Sequence, residues 1–404
     1  MNKLDNMLYY ISENNDFYKR RIKEYCIKNP LDITQWPILT RQELQENRYN
    51  MFSNGYQLKY YNQQLRRQSS SGSSGTPVNV YWDNQQWIAS NLSLWRKRLQ
   101  WYGIHPNDKY VVFTLNALNL VTDGTTVLSK QESPNVLAIN ASLIQNERQY
   151  QKLVDIINSF NPDWLYVQPF FLNKIAQIFE KYGTEKLTAL RYIESIGELL
   201  PLDLRRRVAK VFKVPLANMY GSEEMNCIAL ESPAQHMMVL EDNVFVEVMS
   251  NNIILPHGEG ESIITNLHNK AMPLIRYNQG DLINLEIEHN NKRIRMISGR
   301  KIQEIQIGNR LINAFAFSEI ITSINNQLDD IIYNYQFVYS KSAKRLLCKI
   351  IIDNSRNEWF LKTKEILLDL LMSKINISIN DIDVVQIENI QFVGQKQTAL
   401  IVED

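Results

Sequence analysis

The chain has 404 residues, 44% of them apolar and 22% charged, and 44 basic residues against 43 acidic ones leave a formal net charge of +1. That length exceeds what one compact core usually holds, so two domains are expected. The near-balance of charge excludes a nucleic-acid or membrane-surface role driven by bulk electrostatics, and no run of about eighteen apolar residues offers a membrane span.

Residues 1–65 read as aromatic-rich helices and connectors. Within them, WPILTRQELQEN (36–47) sets Thr40 to cap a helix with Glu43 three residues on, the spacing of a capping box. From 80 to 240, short β-branched or aromatic runs alternate with amphipathic stretches. YVVFTL (110–115), DWLYVQ (163–168) and YIESIG (192–197) read as strands, and 150–160, 171–182 and 202–212 as helices. Such alternation predicts βαβ units on a largely parallel sheet. After 240 the pattern turns strand-rich: NVFVEVM, NIILP, ESIITN and DLINLEIE follow one another across polar turns. From about 301, helices at 315–326 and 357–372 mix with strands at 331–339, 345–352 and 383–387. The expected class is therefore α/β. A large N-terminal domain (1–300) has mixed and parallel sheets flanked by helices, and a small α+β domain follows (301–404). The opening residues MNKLDNMLYYISENN show no signal-peptide pattern, and Cys26, Cys227 and Cys348, odd in number and widely spaced, read as reduced thiols. Both features point to a cytoplasmic protein.

Five segments carry chemistry. SSSGSSGTP (69–77) offers backbone N–H groups and hydroxyls that can wrap phosphate oxygens, although GxxxxGK[ST] is absent and a Ser/Gly stretch is equally a surface linker. MYGSEE (219–224) sets an aromatic ring beside a glycine and a carboxylate suited to Mg²⁺, or it is a plain turn. In PLIRYNQGDL (273–282), Asp281 after Gly280 reads as a turn residue whose carboxylate can accept both hydroxyls of a ribose. ISGRKIQEIQIGNR (297–310) presents Arg300, and VGQKQTALIVED places Lys396 in a loop before a last strand.

In this order the segments resemble the successive signatures of the adenylate-forming acyl ligases. The likeness is to the phenylacetate–CoA ligase branch and its capsular-polysaccharide and coenzyme F390 synthetase-like relatives, and it runs over nearly the whole chain. The resemblance implies an ATP- and Mg²⁺-dependent enzyme that activates a carboxylic acid as an acyl-adenylate. The acceptor is a thiol, coenzyme A or an acyl carrier protein. It further implies that Ser70, Ser71, Gly72, Ser73, Ser74 and Gly75 grip the β- and γ-phosphates. Gly197 and Glu198 line the adenine slot, and Tyr220, followed by Gly221 and Ser222, stacks on the base. Glu224 holds Mg²⁺, Asp281 and Arg300 bind ribose, and Lys396, on a mobile C-terminal domain, is the catalytic lysine. The acid pocket implied is neutral, lined by Asn116 and Asn140 from the loop segments LNALN and AINAS together with Ile196 and Met225, which favours an uncharged aromatic or short acyl acid. An amide-forming ligase, a non-catalytic nucleotide-binding member and a homodimer remain open. Neither nucleic acid nor membrane is expected as a partner.

The chain departs from the family pattern in three places. Asn79 stands where the loop's lysine- or threonine-rich end is usual, Glu223 replaces a threonine, and Lys301, Ile302, Gln303 and Glu304 replace paired aspartates at the hinge. Some relatives carry a zinc cluster. Here Ser232 and Ser298 stand at the cysteine positions with only His236 left, so no structural zinc is expected and Cys227 reads as a buried thiol.

Overall fold

Thr40 and Glu43 form the capping box expected of them. The Glu43 N–H donates to Thr40 Oγ1 (3.1 Å), and the Thr40 N–H donates to Glu43 Oε2 (2.8 Å), which starts the helix Arg41–Glu46. The same device, with Asn2 and Asp5, opens the helix Lys3–Asn14. The computed structural model describes residues 2–69, 78–114, 120–122, 125–144, 147–182, 187–198, 200–289, 291–300, 305–307, 310–312, 314–328, 331–352, 358–388, 390 and 400–403. The chain divides into two compact units, one of residues 1–106 with 217–297 and the other of 107–216 with 298–404.

In the first unit the strands lie in the order Ile253–Leu255, Val244–Ser250, Gly258–Asn266, Tyr277–Glu288, Asn291–Arg300, Met237–Val239, Asn226–Glu231, Leu216–Ser222. The pairings described among them are antiparallel. A separate hairpin, Arg66–Ser69 with Asn79–Trp82, brackets the Ser/Gly segment; Ser69 faces Asn79 and Arg66 faces Trp82. One apolar cluster joins this hairpin, the N-terminal helices and the sheet, with Trp36, Trp82 and Tyr277 at most 2% exposed. Arg276 ties the N-terminal segment down. Its guanidinium meets the Glu247 carboxylate at 2.5 and 2.9 Å and donates to the carbonyls of Thr34 (3.1 Å) and Trp36 (3.0 Å).

In the second unit Tyr192–Ile196, Trp164–Val167, Tyr110–Thr114 and Val136–Asn140 form a parallel sheet in that order, with Ser129–Ser133 antiparallel at its edge. The helices Glu147–Phe160, Pro169–Tyr182 and Leu202–Phe212 bury its Val111, Phe113, Ile139, Leu165, Val167 and Ile193 face. The alternation of strand and helix thus yields the expected βαβ layering. The C-terminal residues build a four-stranded sheet, ordered Ile382–Gln386, Arg345–Ile352, Ile332–Ser340, Leu400–Glu403, against the helices Ala314–Gln327 and Phe360–Leu370. Lys174, 2% exposed, donates to the Ile332 carbonyl (3.1 Å). Among the described residues, no helix is long and apolar enough to cross a membrane.

Two local expectations are corrected. Asp281 lies inside the long strand Tyr277–Glu288 and not in a turn. Asn140 ends the strand Val136–Asn140, where a loop is expected. At Asp281 pairing with a distant strand overrides a turn-like local composition, because a ladder satisfies backbone groups that a short turn leaves to solvent; at Asn140 the parallel pairing with Thr114 carries the strand into the segment.

Candidate active site

The first unit brings together the YGSEE and RYNQGD segments. Leu216–Ser222 and Asn226–Glu231 form a tight hairpin whose register shifts between Tyr220 and Gly221. A Cβ on Gly221 would lie 2.4 Å from the Asn226 carbonyl oxygen, so this close approach of backbone to backbone needs glycine. In the neighbouring part of the sheet Glu261 pairs with Leu282 and Ile263 with Asn278, so Ser262 alone faces Gln279, Gly280 and Asp281. That bulge bends through Gly280 at φ +83° and re-aims Asp281, the usual work of a bulge beside a site.

Tyr220 Oη donates to Asp281 Oδ2 (2.6 Å), and Gln279 Nε2 donates to the same oxygen (2.8 Å) and to Tyr220 Oη. Ser222 Oγ donates to Gln279 Oε1 (3.2 Å) and accepts from the Met225 N–H (3.2 Å). Burial first, and the Asp281 carboxylate second, hold the Tyr220 phenol well above its ordinary value. The phenol therefore remains a donor at neutral pH.

Glu224 is 2% exposed. Tyr277 Oη reaches its Oε1 at 3.4 Å, and Arg41 Nη1 stands off at 3.8 Å. A carboxylate buried with such distant partners among the described residues is costly, and an oxygen-seeking divalent cation relieves that cost. Glu224 therefore fits the role of a Mg²⁺ ligand. Glu223 is half-buried and interacts with Arg66, which partial burial lowers from its ordinary value and Glu223 draws back up. Arg66 lies 3.9 Å over the Trp87 ring. The extra negative charge at Glu223 is thus answered by a cation on the strand that leads into the Ser/Gly segment.

In the second unit Ile196 ends the strand Tyr192–Ile196 and Gly197 and Glu198 follow it; Asn140 ends a strand of the same sheet and is fully buried. The carboxyl ends of parallel strands are where open α/β sheets bind ligands. Met225, in the first unit, is fully buried in the apolar cluster. Arg300 ends the strand Asn291–Arg300 and its side chain lies outside the described residues, as do Ser70, Ser71, Gly72, Ser73, Ser74, Gly75, Asn116 and Lys396. Cys227 is fully buried, and Ser232 and His236 close a turn, the Ser232 N–H donating to the His236 carbonyl (2.8 Å).

Sequence reading passed over four participants. Gln279 lies within a recognised segment, and its signal was position alone. Tyr277 lies in that segment too, Arg41 opens the helix Arg41–Glu46 and Arg66 opens a hairpin strand, and all three meet their partners only in the folded chain. Apart from these, Glu194 is fully buried in the strand Tyr192–Ile196 and accepts from Tyr192 Oη (2.9 Å).

The fold is that of the adenylate-forming acyl ligases. The chain matches a solved 2-hydroxyisobutyryl-CoA ligase, captured in a postadenylation state, over 100% of its own length and 88% of that chain, with a TM-score of 0.74 at 16% identity. In sequence it is 26% identical over 323 residues to the phenylacetate-coenzyme A ligase of Pseudomonas putida, covering 75% of this chain and 70% of that protein. It is also 24% identical over 286 residues to the protein CapK of Staphylococcus aureus, covering 69% of this chain and 61% of that protein. The match spans 64% of the length of the Escherichia coli phenylacetate-coenzyme A ligase. No family model matches the chain.

Proposed function

We propose that the chain is an AMP-forming ligase that activates an uncharged aryl or small carboxylic acid as its acyl-adenylate and passes the acyl group to a thiol. The observation that carries this reading is the direct contact of Tyr220 with Asp281, 61 residues apart in sequence, at a bulge that interrupts the ladder between Gly258–Asn266 and Tyr277–Glu288. Tyr220 would pack on the adenine while its hydroxyl holds Asp281 in place to accept from the ribose. Gly197 and Glu198 would line the adenine slot, and Arg300 would join Asp281 at the ribose.

A carboxylate is a poor nucleophile and repels a triphosphate, so the first step needs charge compensation more than a general base. Glu224 would hold Mg²⁺, which supplies that compensation at the phosphates. Arg66 keeps the Glu223 charge from adding to the repulsion. Lys396, on a small domain of residues 301–404, would stabilise charge at the α-phosphorus as its bond to the acid oxygen forms and pyrophosphate leaves. Ser70, Ser71, Gly72, Ser73, Ser74 and Gly75 would hold the departing phosphates. Asn116, Asn140, Ile196 and Met225 would shape the acid pocket.

The test is ATP–pyrophosphate exchange with Mg²⁺, without any thiol, over a panel of aryl, fatty and amino acids. Exchange with an aryl or small acid is the expected result. Lack of exchange with every acid, in a protein that binds ATP, would sink the reading; exchange with an amino acid alone would sink the choice of acid. AMP release that requires coenzyme A, a holo carrier protein or an amine then identifies the acceptor.

A further inference from the structure

Beside the hairpin that brackets the Ser/Gly segment, the first unit has a cleft of about 250 Å³ lined by Leu44, Gln45, Arg48, Val78 and Asn79. We propose that this cleft is a phosphate-binding subsite with Arg48 as its cation, an inference that rests on the ligase reading for the identity of its ligand.

Arg48 is held in place and left incomplete. Its guanidinium lies 4.5 Å from the Tyr49 ring centroid, and Nη2 donates to Tyr49 Oη (2.6 Å). Its Nε–H is buried and has no hydrogen-bond partner among the described residues. A buried donor on a cation is expensive to leave unmade, and an anionic oxygen is the partner that satisfies it best. None of the five lining residues is acidic.

The cleft's other wall is the return of the hairpin. Asn79 pairs with Ser69 across it, and Asn79 Oδ1 accepts from Arg67 Nε (2.8 Å), so a second guanidinium is fixed on the same hairpin face. Asn79 is neutral at the position where the resemblance implies a lysine- or threonine-rich loop end. Arg48 and Arg67, from a separate segment and the opposite strand, restore positive charge around that position. In sequence, the Ser/Gly segment that the ligase reading assigns to phosphates runs directly into Val78 and Asn79, so phosphate is the anion proposed. Liquid water occupies about 30 Å³ per molecule, so the cleft has room for one phosphate group with its waters and not for a whole nucleotide.

Two sources present such a group: the triphosphate tail of the nucleotide and the phosphoadenosine end of coenzyme A. Pyrophosphate exchange without thiol reads the first. Thioester formation at saturating ATP, with coenzyme A compared with 3′-dephospho-coenzyme A, reads the second. Arg48→Gln should raise KM about tenfold in one of these arms, the scale of a lost charge-assisted hydrogen bond, and Arg48→Lys should recover part of it. Unchanged KM in both arms, with Tm also unchanged, overturns the proposal. Should Arg48→Gln fail to fold, Asn79→Asp decides, since a carboxylate in the cleft must raise the same KM if a phosphate sits there. Should the wild type show no exchange at all, the ligase reading fails and the cleft is judged separately. Inorganic pyrophosphate is then titrated into wild type and Arg48→Gln, and equal binding overturns the subsite.

Discussion

At the scale of single residues, the site is a set of polar groups that complete one another's hydrogen bonds. Tyr220→Phe removes the donor to Asp281 from a half-buried carboxylate that keeps its hydrogen bond from Gln279. A loss of about 1–3 kcal/mol is expected by urea denaturation, with a higher KM for ATP in the exchange assay. The same phenol gives a pH dependence with a definite sign. Its folded value is raised above the ordinary one, so its contribution to stability is fully present below a pH of about 10 and is lost as pH climbs toward the folded value. Wild-type stability should therefore fall more steeply than that of Tyr220→Phe in alkaline titration; parallel curves would contradict the assignment. Glu224→Gln keeps the shape of a buried side chain and removes its charge. Exchange by this variant should need several-fold more Mg²⁺, read from a metal titration at fixed ATP.

At the scale of elements, two backbone devices set the geometry, and one of them was legible. The capping box at Thr40 and Glu43 is a pattern of neighbours, and it starts Arg41–Glu46 as the sequence implies; its first residue, Arg41, turns out to face Glu224. The bulge at Gln279, Gly280 and Asp281 was not legible, because Asn-Gln-Gly-Asp has turn composition and only the partner strand Gly258–Asn266 converts it into an irregular ladder. Gly280→Ala would strain a left-handed residue at about 1–2 kcal/mol while meeting nothing within 4 Å. The expected outcome is a small drop in Tm together with a larger loss of ATP affinity, since Asp281 follows directly. Arg276→Ala acts differently: it strands the buried Glu247 carboxylate and frees the segment at Thr34 and Trp36. Breaking such a pair costs about 3–5 kcal/mol, to be read as a lower urea midpoint.

At the scale of the whole chain, each unit is built from two stretches that are separated in sequence. Residues 1–106 fold with 217–297, and 107–216 with 298–404. Cys26 is exposed, whereas Cys227 and Cys348 are buried in different units, and burial holds the Cys348 thiol far above its ordinary value. Thiol labelling of the native protein should therefore modify one cysteine, Cys26, and labelling in concentrated guanidinium all three; fast native labelling of Cys348 would show that the C-terminal sheet opens. By itself the sequence determined the kind and order of the elements, the class of the fold and the segments that carry chemistry, because hydrophobic period, capping and turn chemistry act between neighbours in the chain. Only the tertiary structure decided that Tyr220 meets Asp281, that Arg66 answers Glu223, that Arg41 and Tyr277 face Glu224, and that Arg48 has a buried donor unmatched among the described residues. Those contacts depend on strand register and on which face of a hairpin meets which helix, and both are settled by burial summed over a whole core.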